Sequence, residues 1–193
     1  MLDRFCLGTA QFGFDYGISN SRKVDPLEAS LIIHEAYKAG INFIDTAQTY
    51  GDSEKFMGNF SNLNLNIVTK IDFKNFINED DVNLCIENSF QNLNINRIHS
   101  ILFHDSKFFL NNICDAAYKK LMHLKSEGKI QNIGVSLYHL NDIDFILKNY
   151  DIDIIQIPYN IFDASEEKNI DFRCLRFFRY LFVKIFIRKF YYL

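Results

Sequence analysis

Apolar runs of five to eight residues recur along this 193-residue chain, and most gaps between them are long enough to hold a helix. The runs are RFCLG (4–8), INFID (41–45), NIVTK (66–70), IHSILFH (98–104), KIQNIGVS (129–136), IDIIQI (152–157) and VKIFIR (183–188). Most are near-continuous rather than alternating, as expected of strands whose two faces are both covered in a parallel sheet.

The intervening segments carry helix punctuation. Asp25 is placed to cap a helix with Pro26 in its first position, Glu28 at the capping-box position and Gly40 past its end. Asn78 caps a longer one, where Val82, Cys85, Ile86, Ser89, Phe90 and Leu93 share a face at i, i+3, i+4 spacing. Further helices are expected from near Asn112 to Gly128, from near Asn141 to about Asn149, over 52–58 and over 170–182.

Strand then helix, repeating every ~30 residues, is the period of βαβ architecture. GTAQFG after the first run fits neither phosphate-binding glycine pattern, which disfavours a doubly wound nucleotide fold. The expectation is therefore a (β/α)8 barrel of TIM type, incomplete at about seven strands, forming one domain over 1–193; whole barrels usually take about 250 residues.

With 48% hydrophobic and 23% charged residues the composition is that of a soluble globular protein, and a net charge of -3 offers no general attraction to nucleic acid. The first residues lack a basic-then-apolar leader, and no uncharged run reaches the ~18 residues of a membrane span. Cys6, Cys85, Cys114 and Cys174 lie far apart without ligand spacing. They read as reduced core thiols of a cytoplasmic protein that holds no metal.

Barrel active sites form at the carboxyl ends of the strands. Read in order, those ends present Asp45, with Tyr50 in the loop behind it, then Lys70 and His104. Taken alone, Asp45 reads equally well as a cap or turn residue, and a lone strand-end Lys or His is more often a surface or capping group. Together they suit proton donation to a carbonyl oxygen as it accepts hydride. Tyrosine is a reluctant acid at its ordinary pKa of about 10, and a neighbouring ammonium favours the phenolate. A buried lysine tends to lose its proton, so Asp45 would keep Lys70 charged, while His104 orients the substrate oxygen.

At GINFIDTAQTYGDSEKFMG, VTK and ILFHD the chain resembles the aldo-keto reductases, and the likeness runs from LGTAQFG to VKIFIR. The resemblance implies a metal-free barrel that reduces aldehydes or ketones with NADPH or NADH, its Asp, Tyr, Lys, His tetrad falling on Asp45, Tyr50, Lys70 and His104. It also implies that Gly8 and Thr9 lie near the dinucleotide. Ser136 and Gln156 would bind the nicotinamide carboxamide. Leu137 stands where many members have Asn, and Arg188 where an aromatic often stacks on the nicotinamide. The first loops look most like a branch associated with cell-surface sugars, which makes the expected partner a small carbonyl compound, a sugar derivative among the candidates.

Nothing after Arg188 matches the family's eighth strand and last helix, which grip the adenosine phosphates. The sequence thus reads as a C-terminally truncated member, a frameshifted or stopped gene being the favoured origin. Weak cofactor binding is expected, as is self-association through open sheet edges. The alternative is a catalytically inactive barrel remnant or a binding subunit that cannot hold cofactor. Arg173, Arg176 and Arg179 would stripe one helix face, read as a solvated surface or, less favoured, a patch for an anionic partner. His34, His123 and His139 read as structural or solvated, His99 as a barrel-wall group, and Tyr16 as a first-loop residue within reach of substrate.

Overall fold

The structure is a computed structural model and describes residues 5–15, 22–73, 78–110, 114–137, 143–159 and 180–185. Its strands are β1 (Cys6–Gly8), β2 (Phe43–Asp45), β3 (Asn66–Ile71), β4 (Ile98–Phe103), β5 (Ile130–Ser136), β6 (Ile154–Tyr159) and β7 (Tyr180–Ile185). The helices are α1 (Ala10–Gly13), α2 (Pro26–Lys38), α3 (Ser53–Gly58), α4 (Glu79–Leu93), α5 (Cys114–Ser126) and α6 (Ile143–Asn149), with a 3-10 helix over Ser106–Leu110.

All seven strands pair in parallel and in sequence order, giving a curled α/β sheet of the (β/α) barrel type that is incomplete among the described residues. Alternation along each strand sorts the two faces. Ile67 and Ile71 of β3, Ile101 and Phe103 of β4, and Ile133 and Val135 of β5 point outward into one large core. There they meet Ile33 of α2, Ile86 and Leu93 of α4, Leu121 of α5 and Ile146 of α6. Val68, Leu102 and Ile154 form a small inner cluster on the other face. This two-sided burial explains why the strands read as continuous apolar runs.

The caps follow the sequence. The Asp25 carboxylate accepts from Leu27 N at 2.9 Å, with Pro26 opening α2 and Gly40 in the left-handed region just beyond it. Asn78 and Asp81 close a reciprocal capping box at the start of α4. Val82, Ile86, Ser89 and Leu93 are the buried positions of α4, on the face that the spacing marks.

One assignment is corrected. The expected helix over 170–182 overlaps β7, which starts at Tyr180; residues 180–182 are strand and pair with Ile154, Ile155 and Gln156. The run YLFVKI is rich in aromatic and β-branched residues, and a partner strand decides what such a short run becomes. Residues 170–179 lie outside the described residues, as do Tyr16, His139, Cys174 and Arg188. The sequence reading also passed over α1 and the 3-10 helix, both too short to show a period. No described helix is long and apolar enough to cross a membrane.

Candidate active site

Asp45 is the last residue of β2, Lys70 lies one residue before the end of β3, and His104 follows β4 directly. Register carries the first two to the same end of the sheet, since Asp45 pairs with Val68 and Lys70 with Leu102. Lys70 Nζ donates to Asp45 Oδ1 at 2.7 Å, to the Thr46 carbonyl at 3.0 Å and to the Tyr50 hydroxyl at 3.4 Å. The Lys70 and Asp45 side chains are only 1% and 10% exposed, and Tyr50 is also buried. A buried ammonium needs three acceptors, and this one has a carboxylate, a carbonyl and a phenol.

His104 is half-buried, and its ring meets the Tyr50 ring edge-on at 6.0 Å between centroids. Its Nδ1 lies 3.1 Å from the Thr49 hydroxyl, so the residue before Tyr50 steers the imidazole. The structure therefore brings Asp45, Tyr50, Lys70 and His104 together at one pole.

Gln156 of β6 pairs with Ser136 at the end of β5, and both are buried. Gln156 Nε2 donates to Asp45 Oδ1 at 2.8 Å, which fixes the amide's orientation. Its Oε1 is buried with no hydrogen-bond partner among the described residues. An orphaned buried acceptor is costly, and it marks where a donor from outside the chain would fit. Leu137 is buried beside this pair, its backbone N donating to the Gln156 carbonyl at 2.8 Å. Gly8 ends β1 in register with Asp45 and is exposed. Thr9 is fully buried, and its hydroxyl donates to the Asp45 carbonyl at 3.0 Å and accepts from Ser53 Oγ at 2.7 Å. Thr9 thereby holds the strand end that carries Asp45.

The loop bearing Tyr50 is clamped by residues that sequence reasoning did not single out for function. Gln48 Nε2 donates to the Cys85 carbonyl and to Ser89 Oγ, both at 2.7 Å, and Gln48 N donates to the Lys70 carbonyl at 3.1 Å. Beyond Tyr50, Ser53 Oγ reaches the Thr9 carbonyl at 3.0 Å, and Glu54 Oε1 accepts from Thr69 at 2.6 Å and from Ser89 at 2.9 Å. Burial pushes the Glu54 carboxyl above its usual range, an effect partly opposed by the bonds from Thr69, Ser89 and Asn92. The readable signal was Ser89 itself, a polar residue on the apolar face of α4.

Gly13 forms the remaining wall. A Cβ there would lie 1.5 Å from the Tyr50 carbonyl oxygen, and one on Gly51, at φ +56°, would lie 2.6 Å from the Gly13 carbonyl oxygen. These two glycines permit a backbone contact that no side chain could share.

A cavity of about 100 Å³ opens beside His104 between the ends of β3 and β4, lined by Asp72, Phe73, Asp105, Lys107 and Phe108 among others. A larger groove of about 480 Å³ lies between α4 and α5. It is lined by Ile95, Asn96 and Lys129, which precede β4 and β5, and so it sits at the opposite pole.

Comparison with known proteins identifies the family and the fold. The family model described as Aldo/keto reductase family matches residues 4–175. D-arabinose 1-dehydrogenase of Saccharomyces cerevisiae is 34% identical over 133 residues, covering 63% of this chain and 38% of that protein. The chain thus spans well under half the length of this curated relative. A crystal structure from Pseudomonas aeruginosa, described as an aldo-keto reductase, superposes with a TM-score of 0.76 at 27% identity, covering 93% of this chain and 72% of that one. The holo form of an aldo-keto reductase from Bacillus halodurans gives a TM-score of 0.75 over 94% of this chain and 61% of that one; at 21% identity it shows the fold alone.

Proposed function

The chain belongs to the aldo/keto reductase family, and we propose that it reduces the carbonyl of a small aldehyde or ketone to an alcohol, using a reduced nicotinamide cofactor and Tyr50 as the proton donor. The observation that carries this reading is the position of Lys70 Nζ, which touches both the Asp45 carboxylate and the Tyr50 hydroxyl.

The residues present fit the nicotinamide. The unpartnered Gln156 Oε1 would accept from the carboxamide N–H, and Ser136, in register beside it, would donate to the carboxamide oxygen. Gly8 and Thr9 would form the neighbouring wall at the end of β1. When bound, the cofactor supplies hydride to the carbonyl carbon. NADPH and NADH are both candidates.

The chain's own groups manage the proton. Tyr50 gives its hydroxyl proton to the substrate oxygen as negative charge develops there. The Lys70 ammonium then faces the resulting phenolate, and the attraction lowers the barrier to transfer. Asp45 keeps the ammonium charged inside the sheet, and its own second donor, Gln156, ties this pair to the proposed carboxamide site. The Thr49 hydroxyl lies 3.1 Å from His104 Nδ1; in the tautomer with the proton on Nε2, Thr49 donates to Nδ1 and Nε2 donates to the carbonyl oxygen. Solvent returns the Tyr50 proton after product leaves.

For the substrate we favour a small polyhydroxylated carbonyl. The carboxylates of Asp72 and Asp105 beside Phe73 and Phe108 suit hydroxyl groups set on an apolar face. The D-arabinose relative points the same way. The test is steady-state reduction of a panel of aldehydes, hydroxylated and plain, with NADPH and with NADH. D-arabinose oxidation with NADP+ or NAD+ is run alongside. Turnover that prefers the hydroxylated compounds supports the reading; no turnover with any pair contradicts it.

A further inference from the structure

Both ends of the loop that carries Tyr50 converge on one side chain outside the barrel. Ser89 Oγ accepts from Gln48 Nε2 at 2.7 Å and donates to Glu54 Oε1 at 2.9 Å, so one hydroxyl joins the residues that bracket Tyr50. We propose that Ser89 of α4 is a positioning residue for Tyr50, fixing its hydroxyl against the Lys70 ammonium through Gln48 on one side and Glu54 on the other. The proposal rests on the reading of Tyr50 as proton donor.

The network acts beside the Ser53–Thr9 bonds and the Gly13 backbone contact, and it adds side-chain anchors on both sides of the tyrosine. Tyr50 N donates to the Ala47 carbonyl at 3.0 Å and the Tyr50 carbonyl accepts from Ser53 N at 3.1 Å, so the tyrosine sits in a tight turn between two anchors. Gln48 is the anchor before it, and both ends of its amide are bonded. Nε2 serves the Cys85 carbonyl and Ser89, and Oε1 accepts from Cys85 Sγ at 2.6 Å. Glu54 is the anchor after it, and it also takes the Thr69 hydroxyl. Thr69 is the residue before Lys70 and points outward where Lys70 points inward. One buried network thus spans α3, α4, β3 and the loop, and it controls the backbone at Tyr50 and Lys70 together. Ser89 and Thr69 are fully buried and Glu54 nearly so, which shields the Glu54 arm of the network from competition by water.

A purely structural serine would cost stability and nothing more; a positioning serine also changes how strongly Lys70 acts on the Tyr50 phenol. Protein labelled at the tyrosine ring Cζ with carbon-13 reports this without any cofactor, the Tyr50 resonance being assigned by its loss in Tyr50→Phe. Lys70→Met should raise the pH at which Tyr50 ionises. Ser89→Ala should raise it by about half a pH unit or more, because the ammonium acts more weakly at greater distance. Gln48→Met, at a half-buried site, should move it the same way, and decides the matter should Ser89→Ala not fold. Leu121→Ala, a cavity on α5 outside this network, should leave it in place. A shift in Lys70→Met with none in Ser89→Ala or Gln48→Met overturns the positioning role alone. No shift in Lys70→Met overturns the acid reading, and the proposal with it.

Discussion

The Lys70 ammonium sits 2.7 Å from Asp45 Oδ1 at a point where neither side chain is more than one-tenth exposed. Removing one member of such a pair strands the other as an uncompensated charge. Asp45→Ala is therefore expected to lower unfolding free energy by about 3–5 kcal/mol. Asp45→Leu combined with Lys70→Met should cost less than either single change, because an apolar pair strands no charge. Denaturant unfolding of the three variants checks this; additive losses would mean that the pair is not coupled.

The Gly13 contact predicts a second outcome. In Gly13→Ala the new methyl overlaps the Tyr50 carbonyl, so the catalytic loop must move. Overpacking of this kind costs about 1–3 kcal/mol. Turnover should fall further than the stability loss accounts for, since the displaced backbone is that of the proposed proton donor. Equal kcat in Gly13→Ala and wild type would show that the loop tolerates the shift.

The sequence made the polar end of the sheet readable because strand order and chain order coincide in this fold. Asp45, Lys70 and His104 each close an apolar run of the sequence, so naming the strands named the candidate site. Tyr50 followed from Asp45 by its place in the adjoining loop. The Ser89 network was not readable in that way. Gln48 and Ser89 are 41 residues apart, Glu54 and Ser89 35, and no local spacing signals such a bond. What could be read was a hydroxyl among apolar neighbours on α4. The start of β7 was missed because YLFVKI satisfies a strand and a helix end equally, and its pairing with β6 is a long-range fact.

His99 gives the molecule an acid-side weakness. It is buried on β4 against the edge of Phe43, and burial, then the Arg97 charge, lowers its pKa from the usual histidine value. The unfolded chain therefore takes up a proton first, near the ordinary pKa of about 6.5, and stability falls as pH drops from there toward the folded value. His99→Gln should flatten this decline. Urea midpoints measured from about pH 7 to about pH 5 decide it; parallel profiles for wild type and variant would assign the slope to other groups.

Gln156 links the ion pair to the proposed carboxamide site, and its free acceptor should matter for cofactor affinity. Gln156→Met fills the space without an acceptor and should raise the dissociation constant of the reduced nicotinamide cofactor by roughly three- to tenfold. Quenching or enhancement of cofactor fluorescence on titration measures it. An unchanged constant would place the carboxamide elsewhere.

The central claim is that the proton reaching the substrate oxygen is the one on Tyr50, made available by Lys70. The most direct measurement is a single-turnover reduction in which enzyme preloaded with reduced cofactor is mixed with an aldehyde, for wild type and Tyr50→Phe at equal cofactor occupancy. The substitution removes one oxygen and leaves the ring that packs against His104 and Phe14. Loss of a positioned acid should slow the hydride step by about 10²–10⁴-fold with cofactor binding unchanged. A Tyr50→Phe enzyme that oxidises its cofactor at the wild-type rate would contradict the account.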